Sequence, residues 1–125
     1  MSAAALFPKP TLLHNPKCTK SRAAKALLDE REIAYEERRY LERPLGAAEL
    51  AELRKRLDRP AREWMRAGED AFKAAGLSKD AGDQEILAAM AKYPILIERP
   101  ILILETRAAV GRPTENIQSL LDDRD

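Results

Sequence analysis

The chain has 125 residues, 45% of them apolar, which suffices for one compact core and predicts a single domain. Lysine and arginine number 22 against 21 acidic residues, so the formal charge is only +1 and no global field favours nucleic acid or an anionic membrane. No stretch approaches the ~18 apolar residues of a membrane span, and the short apolar run from Ala3 to Phe7 follows no basic residue, so neither a membrane anchor nor a secretory signal is expected.

Cys18 is the only cysteine in the sequence. One cysteine cannot form an internal disulfide, which argues against a disulfide-stapled secreted domain and makes the cytoplasm the expected compartment. The thiol is then either a small buried apolar group or the reactive centre of the protein.

The first third of the chain predicts a strand, a helix and a second strand, after a short tail at residues 1–10. The apolar run Thr11–Leu13 ends at His14-Asn15-Pro16, which indicates a buried strand entering a turn. Apolar residues then recur at helical spacing over Thr19–Arg31. The segment Ile33–Leu41 is charged but has aromatic and β-branched residues, and it predicts the second strand.

The middle of the chain, about residues 46–93, predicts a helical insert. Its first helix carries Leu50, Leu53 and Leu57 and ends near Pro60, because proline cannot continue the hydrogen-bond ladder. Shorter helical pieces are predicted at Ala61–Met65, at Glu69–Ala75 with Gly76 as C-terminal cap, and at Gln84–Lys92 with Asp83 as N-cap.

The last third predicts a hairpin and a helix. Ile95-Leu96-Ile97 leads into Ile101–Leu104 and Arg107–Val110, which together predict the hairpin. The last helix is predicted to have Pro113 at its first position and Ile117, Leu120 and Leu121 facing inward. The order βαβ, helical insert, ββα predicts one α/β domain over residues 11–125, with a thioredoxin-like fold around a four-stranded mixed sheet.

The position of Cys18 favours a reactive thiol. The residue follows a strand and a turn and opens a helix, so the N–H groups of the first helical turn can point at its sulfur or at an anion beside it. A helix N-terminus contributes about 0.3 to 1 kcal/mol, and up to about 2 in good geometry, which is less than a strongly activated thiol needs. Further positive charge is required, and the local candidates are His14, Lys17, Lys20 and Arg22.

Residue spacing argues against several other thiol chemistries. Ser21 stands where a dithiol oxidoreductase has its second cysteine, so a resolving thiol must be external. A phosphatase-type loop needs arginine where this chain has Ala24. One cysteine and one histidine, His14, are too few ligands to indicate a metal site, and no distant histidine is available for a cysteine protease.

Four collinear blocks give the chain a specific resemblance, which runs from about Thr11 to Leu121. The blocks are His14-Asn15-Pro16-x-Cys18-x-x-Ser21-Arg22, Tyr40-Leu41-Glu42-x-Pro44, Pro94-Ile95-Leu96-Ile97-x-Arg99-Pro100 and Gly111-Arg112-Pro113-x-Glu115. Together they resemble the glutaredoxin/glutathione-dependent arsenate reductases, a family with a thioredoxin-like fold and a helical insert. Thr19 and Lys20 stand where glycine and threonine are common in the family, which leaves substrate preference open.

The resemblance implies a role for six residues. Cys18 would be the nucleophile, and His14 would help to keep its thiol ionised. Arg66, Arg99 and Arg112 would line the oxyanion site, and Pro100 would follow a cis peptide bond. A purely structural histidine at His14, and a charged helix face formed by Arg66 with Arg54, Arg56, Arg59 and Arg62, are the alternatives.

The implied partners are arsenate, glutathione and glutaredoxin. Arsenate would be held by the arginines and attacked by the Cys18 thiolate, with glutathione as cosubstrate and glutaredoxin completing the reduction. No tightly bound cofactor, metal, nucleic acid or membrane is expected. Two other functions stay open: a glutathione-dependent thiol reductase of another substrate, and a regulator similar to the Spx-type transcription factors that bind RNA polymerase. Ser21 counts against the regulator, because those proteins usually carry Cys-x-x-Cys.

Overall fold

The computed structural model describes residues 6–66, 70–78 and 80–122. Among these residues four strands form one mixed sheet in the order β2-β1-β3-β4: β1 is Thr11–Leu13, β2 Glu36–Arg38, β3 Ile101–Ile103 and β4 Ala108–Val110. Strand β1 is parallel to β2 and antiparallel to β3, and β3 is antiparallel to β4. The predicted α/β arrangement of a βαβ and a ββα half around a mixed sheet is confirmed.

The described helices lie between these strands along the chain, except for the last one, which follows the final strand. They are α1 at Thr19–Glu30, α2 at Ala47–Leu57, α3 at Asp70–Ala74, α4 at Asp83–Lys92 and α5 at Glu115–Asp122, with 3₁₀ turns at Ala61–Trp64 and Pro94–Leu96. Helix α1 connects β1 to β2, and α5 follows β4. No helix within the described ranges is long and apolar enough to cross a membrane.

The two central strands are covered on both faces. Leu12 of β1 and Leu102 of β3 point to the face on which the apolar residues of α1 and α5 pack. Leu13 and Ile101 point to the opposite face and join the core formed with the helical insert. Every residue of β1 and β3 is therefore buried, as expected for a sheet between two helical layers.

The second strand is shorter than predicted, and the expected span Ile33–Leu41 is wrong at both ends. Glu32 has a φ of 57°, and the N–H of Ile33 donates to the carbonyl of Leu28, so these residues close α1 instead of joining the sheet. After Arg38 the chain turns, with the N–H of Glu42 donating to the carbonyl of Arg39. Because local hydrogen bonds at the end of α1 and in the turn occupy the flanking residues, only Glu36–Arg38 pairs with β1 in the described part of the chain.

Other boundaries also differ from the prediction, and the helical piece expected at Ala61–Met65 is a 3₁₀ turn at Ala61–Trp64. Pro94–Leu96 is a 3₁₀ turn and Ile97 makes an isolated bridge to Met65, so the apolar run before the hairpin is not a strand. The N-cap of α4 is Gly82, because the Asp83 carboxylate instead accepts the N–H of Ala61. Helix α5 begins at Glu115 and not at Pro113. The N–H of Asn116 donates to the carbonyl of Pro113 and that of Ile117 to the carbonyl of Thr114, and both bonds reach back three residues, as in a tight turn, and not four, as in an α-helix.

One predicted cap is present, and one predicted residue cannot be placed. Gly76 follows α3 with a φ of 69°, the left-handed backbone that a glycine cap supplies without strain. Glu69, the predicted first residue of that helix, lies outside the described residues.

Candidate active site

The turn between β1 and α1, residues 14–22, is called the Cys18 turn below. Asn15 organises it: its side-chain Oδ1 accepts the N–H of Lys17 and its carbonyl accepts the N–H of Cys18, both at 3.0 Å. The Arg22 side chain donates to the carbonyl of Pro16 at 2.9 Å. These contacts reverse the chain within a few residues and leave Cys18, with extended backbone, as the N-cap residue of α1.

The surroundings of the Cys18 sulfur favour its ionised form. Burial, with only 9% of the residue exposed, raises the pKa of the thiol. The backbone N–H groups of Ser21 and Lys20 and the guanidinium of Arg99 lower it by more, so the net pKa lies below the ordinary value for cysteine. The first turn of α1 carries no acidic residue, so no negative side chain there opposes the stabilisation of the thiolate by the helix N-terminus.

His14 lies next to the Cys18 turn but reaches it through Ser21. A 2.8 Å hydrogen bond joins His14 Nδ1 to Ser21 Oγ, which also accepts the N–H of Asn15 at 3.0 Å. Burial lowers the pKa of His14 and outweighs the nearby Glu37 carboxylate, so the imidazole is neutral at neutral pH. His14 therefore positions Ser21, whose own N–H faces the sulfur, and supplies no positive charge.

The structure brings Arg66, Arg99 and Arg112 together from three separate segments, and with Glu98 they are called the arginine cluster below. Arg112 Nη2 donates to Cys18 Sγ at 3.7 Å, and the guanidinium of Arg99 helps to lower the pKa of the thiol. The Arg112 Nε donates to the carbonyl of Arg99 at 2.8 Å. Arg66 joins the cluster through Glu98, to which its Nη1 donates at 3.2 Å.

The contacts of Arg66 bear on its alternative interpretation as part of a charged helix face. Its neighbours in sequence point elsewhere: Arg54 pairs with Asp83 at 2.6 Å, and Arg56 is buried against Glu52 at 2.7 Å. Arg62 donates to the carbonyl of Ala81. Arg66 contacts Glu98, the carboxylate that also pairs with Arg112 beside the Cys18 sulfur.

Two residues of the site escaped the sequence analysis, Tyr40 and Glu98. Tyr40 is buried, which raises the pKa of its hydroxyl to about 12, and the charges of Arg99, Arg66, Cys18 and Glu98 all act on it. Its place in the Tyr40-Leu41-Glu42 block was a usable signal. Glu98 was the unassigned position between Ile97 and Arg99, and only its adjacency to an arginine could have drawn attention to it.

Gly111 sets the distance between the two loops that carry Arg99 and Arg112. Its N–H donates to the carbonyl of Pro100 at 2.8 Å. A Cβ at this position would lie 2.6 Å from Ile117 Cδ1 and 2.9 Å from Pro100 Cγ, so a larger residue would force these side chains to shift. The peptide bonds Arg99–Pro100 and Arg112–Pro113 are both cis, and the sequence analysis had considered only the first.

The site offers a nucleophile beside an anion-binding surface. A thiolate at a helix N-terminus with guanidinium groups at the sulfur can hold an oxyanion and attack it. Within the described residues no group of three or more histidine, cysteine or acidic side chains could hold a metal ion. A cavity of about 680 Å³ adjoins the cluster at Glu98 and Arg112.

Comparison with known proteins gives consistent matches over nearly the whole chain. A sequence model of the ArsC family matches residues 13–120. The arsenate reductase of Neisseria meningitidis serogroup A is 44% identical over 117 residues, covering 92% of this chain and 100% of that protein. The solved structure of arsenate reductase from Vibrio cholerae is 37% identical with a TM-score of 0.80, covering 89% of this chain and 98% of that chain. The global transcriptional regulator Spx of Listeria innocua is 31% identical over 115 residues, covering 91% of this chain and 88% of that protein.

Proposed function

The protein belongs to the ArsC family and has its thioredoxin-like fold, and from this premise we propose that it is an arsenate reductase whose Cys18 thiolate attacks arsenate. We further propose that glutathione and glutaredoxin supply the other thiols. The reaction would take place in the cytoplasm, where both are kept reduced.

The observation that carries the proposal is the pair of guanidinium groups at an activated thiol. Arg112 lies 3.7 Å from the Cys18 sulfur, and Arg99 helps to lower its pKa. A thiolate and an oxyanion repel each other, so a site that brings them into contact must neutralise both. Planar guanidinium forks do this and also fix the orientation of a tetrahedral oxyanion by paired hydrogen bonds.

The proposed sequence of steps balances with external thiols. The Cys18 thiolate forms a sulfur–arsenic bond and a protonated arsenate oxygen leaves as water; glutathione then displaces a second oxygen in the same way. A glutaredoxin thiol attacks the glutathione sulfur to form a mixed disulfide, and the sulfur–arsenic bonding pair stays on arsenic, which is reduced by two electrons. Hydrolysis of the remaining bond releases arsenite and regenerates Cys18.

One feature of the chain supports an external reductant. Cys18 is its only cysteine, and position 21, where a second thiol could stand, carries a serine. The Ser21 hydroxyl is hydrogen-bonded to His14 and Asn15, so the turn holds no second thiol.

The test is a coupled assay of purified full-length chain with arsenate, glutathione and glutaredoxin. We expect arsenate-dependent oxidation of glutathione, and we expect Cys18→Ser to lower its rate by about 10³-fold or more. Ala23→Ser, at an exposed position of the same helix, is the matched control and should leave the rate unchanged. Absence of arsenate-dependent oxidation by the wild-type chain would overturn the proposal.

Further arms of the same assay separate the reductant and the rival functions. Equal turnover with thioredoxin in place of glutaredoxin would remove the glutaredoxin assignment and leave arsenate reduction standing. Glutathione oxidation with a disulfide substrate but not with arsenate would identify a general thiol reductase. The similarity to Spx favours one more alternative, a regulator, which capture of RNA polymerase by a chain without turnover would support.

A further inference from the structure

Glu98 is placed by backbone pairing between the helical insert and the segment before the hairpin. The N–H of Glu98 donates to the carbonyl of Trp64 at 3.0 Å, and the N–H of Arg66 donates to the carbonyl of Leu96 at 2.7 Å. Met65 and Ile97 form the bridge between these two bonds. Trp64 and Ile97 are fully buried, so the pairing is anchored in the core and Glu98 has a fixed starting point.

A single carboxylate oxygen of Glu98 serves all three site arginines. Its Oε1 accepts the side-chain Nη1 of Arg66 at 3.2 Å and the backbone N–H of Arg99 at 3.1 Å. The same atom lies 3.1 Å from Nε of Arg112 in an ion pair. The carboxylate is three-quarters buried, with 25% of the side chain exposed, so these contacts are only partly screened by water.

We propose that Glu98 is a positioning residue that orders Arg66 and Arg112 around Cys18 before the oxyanion binds. Three guanidinium groups in one small space repel each other, and each long side chain loses rotamer entropy when it is held. A shared carboxylate offsets both effects. Because the carboxylate faces Nε of Arg112, it leaves Nη2 of that guanidinium directed at the Cys18 sulfur.

The Glu98 carboxylate has a second effect, which opposes the activation of the Cys18 thiol. Its negative charge lies beside cations that favour the thiolate, so it limits how far they lower the pKa of Cys18. Other groups that act on the sulfur are the N–H groups of Lys20 and Ser21 and the guanidinium of Arg99. Removing only the charge of Glu98 should therefore activate the thiol, while removing its hydrogen bonds should loosen the arginines.

The test compares Glu98→Gln and Glu98→Ala in the full-length chain, with Glu63→Ala as control. Glu63 lines the same cavity, but its ion pair, at 3.8 Å, is with Arg59 outside the cluster. In Glu98→Ala we expect the KM for arsenate to rise about tenfold or more with a smaller change in kcat, because substrate must now order the arginines itself. Glu98→Gln keeps an amide oxygen that can accept the same N–H groups, so it should restore most of the affinity.

A second readout does not depend on the proposed function. Iodoacetamide alkylation of Cys18 at about pH 6 should be about twofold or more faster in Glu98→Gln than in wild type. If the wild-type chain turns over no arsenate, the arsenate proposal fails while this comparison still tests Glu98. A Glu98→Ala variant that matches Glu63→Ala in arsenate KM, or a Glu98→Gln variant with unchanged alkylation, would overturn the positioning role.

Discussion

The two halves of the site are built in different ways. The Cys18 turn is one short segment, held by Asn15 and Ser21 through hydrogen bonds of 2.8 to 3.0 Å within residues 14–22. The arginine cluster is assembled from the middle of the helical insert, the loop before β3 and the loop after β4, and Glu98 and Gly111 link these segments.

This difference separates two sources of reactivity. Backbone N–H groups of α1 act on the thiol as soon as the turn forms, because they depend on neighbours in sequence. The guanidinium groups act only when distant segments have packed. Substitutions in the cluster should therefore reduce substrate binding and turnover without abolishing the basal reactivity of Cys18, and the following experiments examine that expectation.

The largest effect is expected for Arg112→Ala. The variant loses the contact at 3.7 Å to the sulfur and the bond to the carbonyl of Arg99, so kcat/KM for arsenate should fall by about 10²-fold and the pKa of Cys18 should rise. Steady-state kinetics and the pH dependence of alkylation measure the two quantities. Arg107→Ala, an exposed arginine on the same cavity wall, is the control. Equal kinetics for both variants would show that the cluster does not act on substrate.

An intermediate effect is expected for Gly111→Ala. The new methyl group would lie 2.6 Å from Ile117 Cδ1 and 2.9 Å from Pro100 Cγ, so these two side chains must shift to make room for it. We expect the free energy of unfolding to fall by about 1 to 3 kcal/mol in urea titrations, together with a loss of turnover. Gly46→Ala, where an added Cβ meets nothing within 4 Å, should change far less. A Gly111→Ala variant as stable as Gly46→Ala would contradict the close packing.

The smallest effect is expected from the pH dependence at His14. Burial lowers its pKa, so the unfolded chain binds more protons as the pH falls below about 6.5 and the folded state loses stability there. The stabilisation is complete above that pH. His14→Gln should remove this part of the acid-side loss, seen as a smaller difference between urea midpoints at about pH 7.5 and about pH 5. An unchanged difference would mean that His14 is not held neutral.

The sequence predicted the features that depend on neighbours along the chain. Helix α1, the turn before it and the position of Cys18 follow from local apolar spacing and turn residues. Arg99 and Arg112 were noted because each stands beside a proline in a matching block; Arg112 contacts the sulfur, and Arg99 helps to lower the pKa of the thiol. The sheet arrangement followed from the order of the elements.

The features that the sequence did not predict depend on contacts between distant segments. Glu98 acquires its role only because residues 64–66 pair with 96–98, and no local pattern encodes that pairing. Tyr40 was placed near the end of the predicted second strand, whereas the structure buries it where the charges of Arg66 and Arg99 act on its hydroxyl. Asp83 resembled a helix cap, but its carboxylate binds Ala61 and Arg54 across the insert.

The packing at Gly111 also bears on the order in which the parts of the site come together during synthesis. The N–H of Gly111 donates to the carbonyl of Pro100, and the side chain of Ile117 of α5 lies close to Gly111, so the loop that carries Arg112 packs against the last helix. Synthesis proceeds from the N-terminus, and Cys18 emerges long before α5. We therefore expect a nascent chain to carry the proposed nucleophile before the loop of Arg112 has packed, so that the proposed anion site is completed later.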